Sequence, residues 1–198
     1  MGNRYHHGDL RAALLDAAAA MIAESGVEQV TIRGLAQRVG VSHTAPYRHF
    51  ANKNALLAAV AEDGFDRLVV RLREIREAHP AEPELCLRQL FVVYVEFALG
   101  NPTHYRLMYG EEVFNRKEYP ELSVIAHQVF NEFFAVVQQG QQAHLYRANL
   151  GVKITCSIWA LAHGLSLLVL DGMLPVADDF ENAVGSLLIL ASDGFREK

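Results

Sequence analysis

Cysteine is scarce in this chain. The only two, Cys86 and Cys156, lie far apart, whereas a disulfide framework or cysteine metal site needs closer, repeated spacings. They are expected as buried thiols in a reducing cytoplasm. Residues Met1 to Leu10 lack the apolar stretch of a secretory signal. No segment alternates polar and apolar residues over a strand's length. The long run without formal charge, residues 154–170 (ITCSIWALAHGLSLLVL), is interrupted by Thr155, Ser157, His163, Gly164 and Ser166. It falls short of the about 20 apolar residues of a membrane span, so a helix buried on all sides is expected and no membrane partner. There are no internal repeats and no low-complexity segments. Activated-nucleophile motifs, metal-ligand spacings and phosphate-binding glycine loops are missing too, so no catalytic residue, cofactor or metal is expected.

What is present is helical periodicity in a composition, 51% hydrophobic and 21% charged, that is ordinary for a globular chain of 198 residues. Leu10, Leu14, Ala17, Ala18, Met21 and Ile22 share one helix face, with Asp9 at its N-terminal end and Gly26 as its stop. Thr31 is placed to cap a second, short helix, with Val30 and Leu35 as a hydrophobic staple and Gly40 as terminator. A third short helix, capped by Ser42 or Thr44, runs to about Phe50. Asn52 can cap a long fourth helix with the stripe Leu57, Ala61, Phe65, Leu68, Leu72, Ile75. Further helices are expected at about 84–99, from the Asn101-Pro102 pair, from Pro120 to Gln139 with Gly140 as its end, at about 148–170, and at about 178–194. The expectation is an all-α chain of about nine helices: a three-helix head over 1–55 and a helical body over 56–198.

Residues 31–50, TIRGLAQRVGVSHTAPYRHF, meet the demands of a helix-turn-helix in order. Ala36 is small where two helices cross, Gly40 suits a turn with positive φ, and Val41 can tuck beneath it. Ser42, His43 and Thr44, followed by Tyr47, open the segment that would enter the major groove of DNA. Arg33, Tyr47, His49 and Lys53 are placed to hold phosphates, and the Thr31 cap belongs to the same face. His6-His7 reads as an arm near the DNA backbone. Charge agrees with this. Residues 1–55 carry six Lys/Arg and four Asp/Glu, a net of +2, which leaves −7 on the rest of a chain whose total is −5. Pro46 is the irregularity. With Thr44 as N-cap it costs no backbone bond, and with Ser42 as N-cap it costs one; in both cases it biases Ala45 away from helical angles. A tight or irregular first turn is expected.

The run GVSHTAPYRHFANKNALLAAV resembles the DNA-binding domain of the TetR (tetracycline-repressor-like) family, through Tyr47, Phe50 and Lys53. The opening Tyr-His-His-Gly-Asp-Leu (5–10) and the Trp159-Ala-Leu-Ala-His163-Gly164 run resemble one branch of it. The resemblance implies an all-helical homodimer whose C-terminal body binds a small molecule and so lowers DNA affinity, with repression the usual outcome.

The residues themselves point the same way. One helix-turn-helix reads few bases, so two copies are needed on one face of double-stranded operator DNA. The helices near 148–170 and 178–194 are apolar on more than one face and fit a two-fold four-helix interface, although burial within one subunit would hide the same surface. For a small hydrophobic or aromatic effector the candidates are Tyr94, Tyr105, Met108, His127, Phe130, Trp159 and His163. His163 shares a helix face with Trp159, and a buried histidine needs a partner, either a protein group such as Tyr105 or a ligand. The expected function is a cytoplasmic regulator released from its operator by that ligand. The alternative is a constitutive DNA-binding regulator with a fully packed body.

Overall fold

The computed structural model describes residues 7–110, 116–175 and 179–196. These form eight α-helices and three 3-10 turns, with no strand among the described residues. Tyr5 and His6, and the side chain of His7, fall outside them, so the expected N-terminal arm does too. The chain divides into two compact units. One takes the residues up to Gly64 together with Thr103–Ser123; the other takes Phe65–Pro102 and the residues from Val124 onward.

In the first unit, α1 (His7–Ser25) ends where Gly26 adopts a φ of 82°. A 3-10 turn, Val27–Gln29, leads to α2 (Ile32–Val39). The Thr31 hydroxyl accepts the Gly34 N–H at 3.0 Å, and Gly40 closes α2 in the left-handed region at φ 75° and ψ 33°, as its sequence signals predict. Leu14, Leu15 and Ala18 of α1 are buried with Val30, Ile32, Leu35 and Ala36. Arg38 adds a bidentate ion pair to Glu24, which lowers that carboxyl's pKa and links α2 to α1 across the surface.

The expected third α-helix is replaced by a 3-10 turn, Pro46–Arg48. Ser42 and Thr44 do not cap it; their hydroxyls meet each other at 3.2 Å. Contrary to the bias that proline exerts on its predecessor, Ala45 sits at helical angles, φ −59° and ψ −46°. Its N–H takes the Ser42 carbonyl at 2.9 Å, the acceptor an N–H at position 46 would have used.

α3 (Lys53–Ala78) opens with the Asn52 side chain accepting the Ala55 N–H at 2.9 Å, and its early residues Leu56, Leu57, Val60 and Ala61 are buried. α5 (Pro102–Tyr109) completes the first unit, with Met108 and His104 pressed so close to Gly64 that a side chain there would collide with them.

In the second unit, Phe65, Leu68 and Leu72 continue the stripe of α3. α4 (Pro83–Gly100) packs against α7 (Gly151–Leu170) and α8 (Phe180–Ser192). α6 (Pro120–Gln142) runs through Gly140 instead of ending there; the glycine makes room for the Tyr146 ring, which lies where a side chain would be. The turn falls later, at His144 (φ 57°) and Asn149 (φ 64°), so α7 starts at Gly151 rather than near 148. Position 178, the expected start of the last helix, lies outside the described residues; the helix itself is Phe180–Ser192.

By length and composition α7 could cross a membrane. Its hydroxyls are satisfied internally: Thr155, Ser157 and Ser166 each donate to the carbonyl four residues back. Ile154, Ile158 and Ala162 are buried on the face toward α4. The opposite face is not buried as expected: Cys156 is exposed, and the thiol that is buried is Cys86, pushed up to about 11 mainly by burial.

Gly40 offers a clean backbone test, because nothing lies within 4 Å of the position a Cβ would take. Gly40→Ala is expected to lower unfolding free energy by about 1 kcal/mol, through its positive φ alone. Urea denaturation followed by circular dichroism measures this.

Candidate functional site

The residues expected to face DNA fall on one short stretch of surface. Arg33, Ser42, His43, Thr44 and Arg48 are exposed, and Tyr47 keeps 57% of its surface. Beneath them Pro46 and Phe50 are buried, so the 3-10 turn is anchored by its apolar members and displays its polar ones. The Phe50 N–H bonds to the Pro46 carbonyl at 2.9 Å, closing one α-type turn at the end of the segment. The His49 ring tilts against Phe50 at 6.1 Å, and the Arg11 guanidinium lies 6.0 Å over that same ring.

Two basic residues behave differently from what spacing suggests. Lys53 is half-buried and its ammonium donates to the Glu28 carbonyl at 3.0 Å, so it ties the start of α3 to the turn before α2. Arg48 was not a sequence candidate, yet it is exposed beside Tyr47. The signal that could have found it is its place in the turn: Pro46 and Phe50 are buried, which leaves 47 and 48 outward.

The expected effector residues divide between the two units. Tyr105 and Met108 belong to the first, where both are buried and the Tyr105 ring lies 5.0 Å from that of Tyr109. In the second unit, Tyr94, Phe130, Trp159 and His163 form a cluster. Trp159 Nε1 donates to the Tyr94 hydroxyl at 3.2 Å, and that hydroxyl lies 3.5 Å from His163 Nδ1. Phe130 meets Trp159 edge-on at 6.1 Å. Tyr94 is therefore a protein partner of His163. His127 is exposed, because it sits about 180° around α6 from the buried stripe of Ile125, Val129 and Phe133.

Sequence reading missed a buried carboxylate. Glu132 of α6 accepts from Arg76 Nε at 2.6 Å and from Arg73 Nε at 3.2 Å. Among the described residues, no group of three or more His, Cys, Asp or Glu side chains is placed to hold a metal ion.

A capped short helix, a glycine turn and an exposed polar segment anchored by buried apolar residues define a helix-turn-helix DNA-binding regulator. The comparisons make this specific. Residues 14–60 match the family model for bacterial regulatory proteins of the tetR family, and residues 87–189 match the tetracyclin repressor-like C-terminal domain. The chain belongs to the TetR family, whose members are transcriptional regulators and not enzymes.

It is 29% identical over 147 residues to the HTH-type transcriptional repressor KstR2 of Mycobacterium tuberculosis H37Rv, covering 73% of this chain and 72% of that one. The nucleoid occlusion factor SlmA of Serratia proteamaculans is 31% identical over 142 residues, covering 71% and 70%. A protein of unknown function from Rhodococcus sp. RHA1 superposes with a TM-score of 0.81 at 28% identity, over 99% of this chain and 100% of that one.

His163 supplies a test by pH. Burial lowers its pKa below the ordinary 6.5, so the folded chain holds it neutral while the unfolded chain takes up a proton. Stability from the neutral form is complete above the unfolded value and is lost as pH falls through it. The thermal midpoint should therefore rise between about pH 5 and pH 7, and His163→Gln should flatten that rise. Thermal unfolding of both chains across that range measures the difference.

Proposed function

We propose that this regulator is a cytoplasmic homodimeric repressor whose operator affinity falls when a small hydrophobic or aromatic ligand binds its body. The observation that carries this reading is the pairing of an exposed polar turn over buried Pro46 and Phe50 with the apolar Tyr94–Phe130–Trp159–His163 cluster, which has few polar handles. Residues 1–55 are the reading head in this account and 56–198 the ligand-binding and dimerising body. Thr31, Arg33, Ser42, His43, Thr44, Tyr47 and His49 meet the DNA. Lys53 joins them if its ammonium exchanges the Glu28 carbonyl for a phosphate.

Dimerisation through α7 and α8 is supported by their exposed apolar residues. Leu168, Leu187, Ile189 and Leu190 expose from 41% to 71% of their surface, a cost that a second copy would remove. The switch is a two-state equilibrium in which ligand favours the weak-binding state by differential contacts. α3 carries the change to the head, since its ladder of hydrogen bonds is continuous from Lys53 to Ala78.

A second reading, a constitutive regulator, draws support from the same cluster. Trp159, Tyr94 and His163 contact one another and already supply partners without a ligand. A thermal-shift screen with aromatic and aliphatic compounds separates the two. Ligands that stabilise the chain and release operator DNA favour the switch, and a blank screen favours the constitutive reading.

For the DNA face, Tyr47→Ala is expected to reduce operator affinity more than tenfold, while sedimentation still reports a dimer. For the dimer, Leu190→Asp is expected to give a folded monomer that no longer holds the operator. Operator binding that survives in the first variant would sink the assigned DNA face; a dimer that persists in the second would sink the assigned interface.

A further inference from the structure

Arg88 stands out among the charges of the second unit. It projects from α4 across to α8, where its guanidinium lies against Gly185 so closely that a side chain there would collide with it. Its Nε is buried without an acceptor, and one long hydrogen bond, 3.4 Å to the Asn182 side chain, serves its Nη2. No ion pair to a described carboxylate accompanies it. Arg88 is half-buried, and an N–H held in the fold without an acceptor is costly. Glu132, the buried carboxylate of the same unit, shows the alternative, with two arginines on it.

The guanidinium lines a groove of about 190 Å³ between α4 and α8. Its walls are Leu85, Leu87, Leu188 and Ile189, with Tyr146 at one side. The other charges at the groove, Glu84 and Arg196, pair with each other at 2.8 Å. That pair leaves one net positive charge, on Arg88. Tyr146 is buried, and its hydroxyl is pushed up to about 12, by burial first and by Glu84 second, so it stays neutral.

We propose that the α4–α8 groove binds a small monocarboxylate with an apolar tail, its carboxylate held by Arg88. The planar fork of arginine matches a carboxylate. With Glu84 and Arg196 paired, the single net positive charge of the groove matches a monoanion better than phosphate. Leu85, Leu87 and Leu188 receive the tail, and the small volume limits its length. This groove is separate from the Trp159 cluster: Arg88 and Tyr94 are six residues apart on α4, about 9 Å along the axis and on different faces. The proposal therefore stands or falls independently of the effector reading above.

The experiment titrates the full-length chain with hexanoate, with hexylamine and inorganic phosphate as comparisons, by calorimetry. Saturable hexanoate binding is expected, with hexylamine and phosphate at least tenfold weaker. Arg88→Met should weaken hexanoate by about tenfold or more, the lower range for a hydrogen bond to a charged group. Gly185→Ala keeps the charge but displaces the guanidinium, and should weaken binding as well. In the unmutated chain the Arg88 Nε–H resonance should move on adding hexanoate, a readout that does not depend on any variant folding. No hexanoate binding, equal binding by phosphate, or a stationary Arg88 resonance would overturn the proposal.

Discussion

Pro46 has no N–H to offer the Ser42 carbonyl, and the exposed turn proposed to meet DNA is built around that missing bond. Ala45 supplies the replacement one residue early, and the 3-10 turn that follows is closed by Arg48 N–H to the Ala45 carbonyl and His49 N–H to the Pro46 carbonyl. A turn this short cannot hold itself by local hydrogen bonding. Its shape is fixed instead by burial of Pro46 and Phe50. The same burial decides which side chains remain outside, namely Tyr47 and Arg48 together with the Ser42–His43–Thr44 segment before them. Gly40 allows the chain to turn into this segment, and Thr31 starts the helix that precedes it. This exposed surface is thus a consequence of core packing, with little backbone regularity of its own.

The helical body and the capping points of the head were legible in the sequence because their signals are local. Thr31, Gly40, Asn52 and Pro120 act through their own backbone or their own side chain within one turn. The stripe from Leu57 to Leu72 was legible because period and burial coincide on a long helix. The failures share a cause as well. Gly140 looked like a terminator, but it is a glycine because Tyr146, six residues on, occupies the space beside it. Lys53 looked free, but Glu28, 25 residues back, offers a carbonyl. A partner of His163, Tyr94, is 69 residues away on another helix. Contacts that depend on which helices meet are invisible to a reading of periodicity.

The candidate effector residues illustrate this limit. Choosing aromatics and polar groups on apolar stretches found Trp159, His163, Tyr94 and Phe130, which do meet. The same rule also chose His127, which a two-residue offset puts on the exposed face of α6. Composition cannot distinguish the two histidines; only the phase of each helix relative to its buried stripe does.

Two charged groups of the second unit are accommodated in different ways. Glu132 is nine-tenths or more buried and accepts from two arginines of α3, so its desolvation is offset within the fold and it fastens α6 to α3. Arg88 has only an amide at long distance, although Gly185 makes room for its guanidinium against α8. If that side chain served only to join α4 to α8, an apolar one filling the same space would do so without leaving an N–H unpaired. The glycine opposite it would then be a further loss, since it gives up helix propensity on α8. Both features fall at one crossing, and an anion small enough for the groove would give that N–H its acceptor.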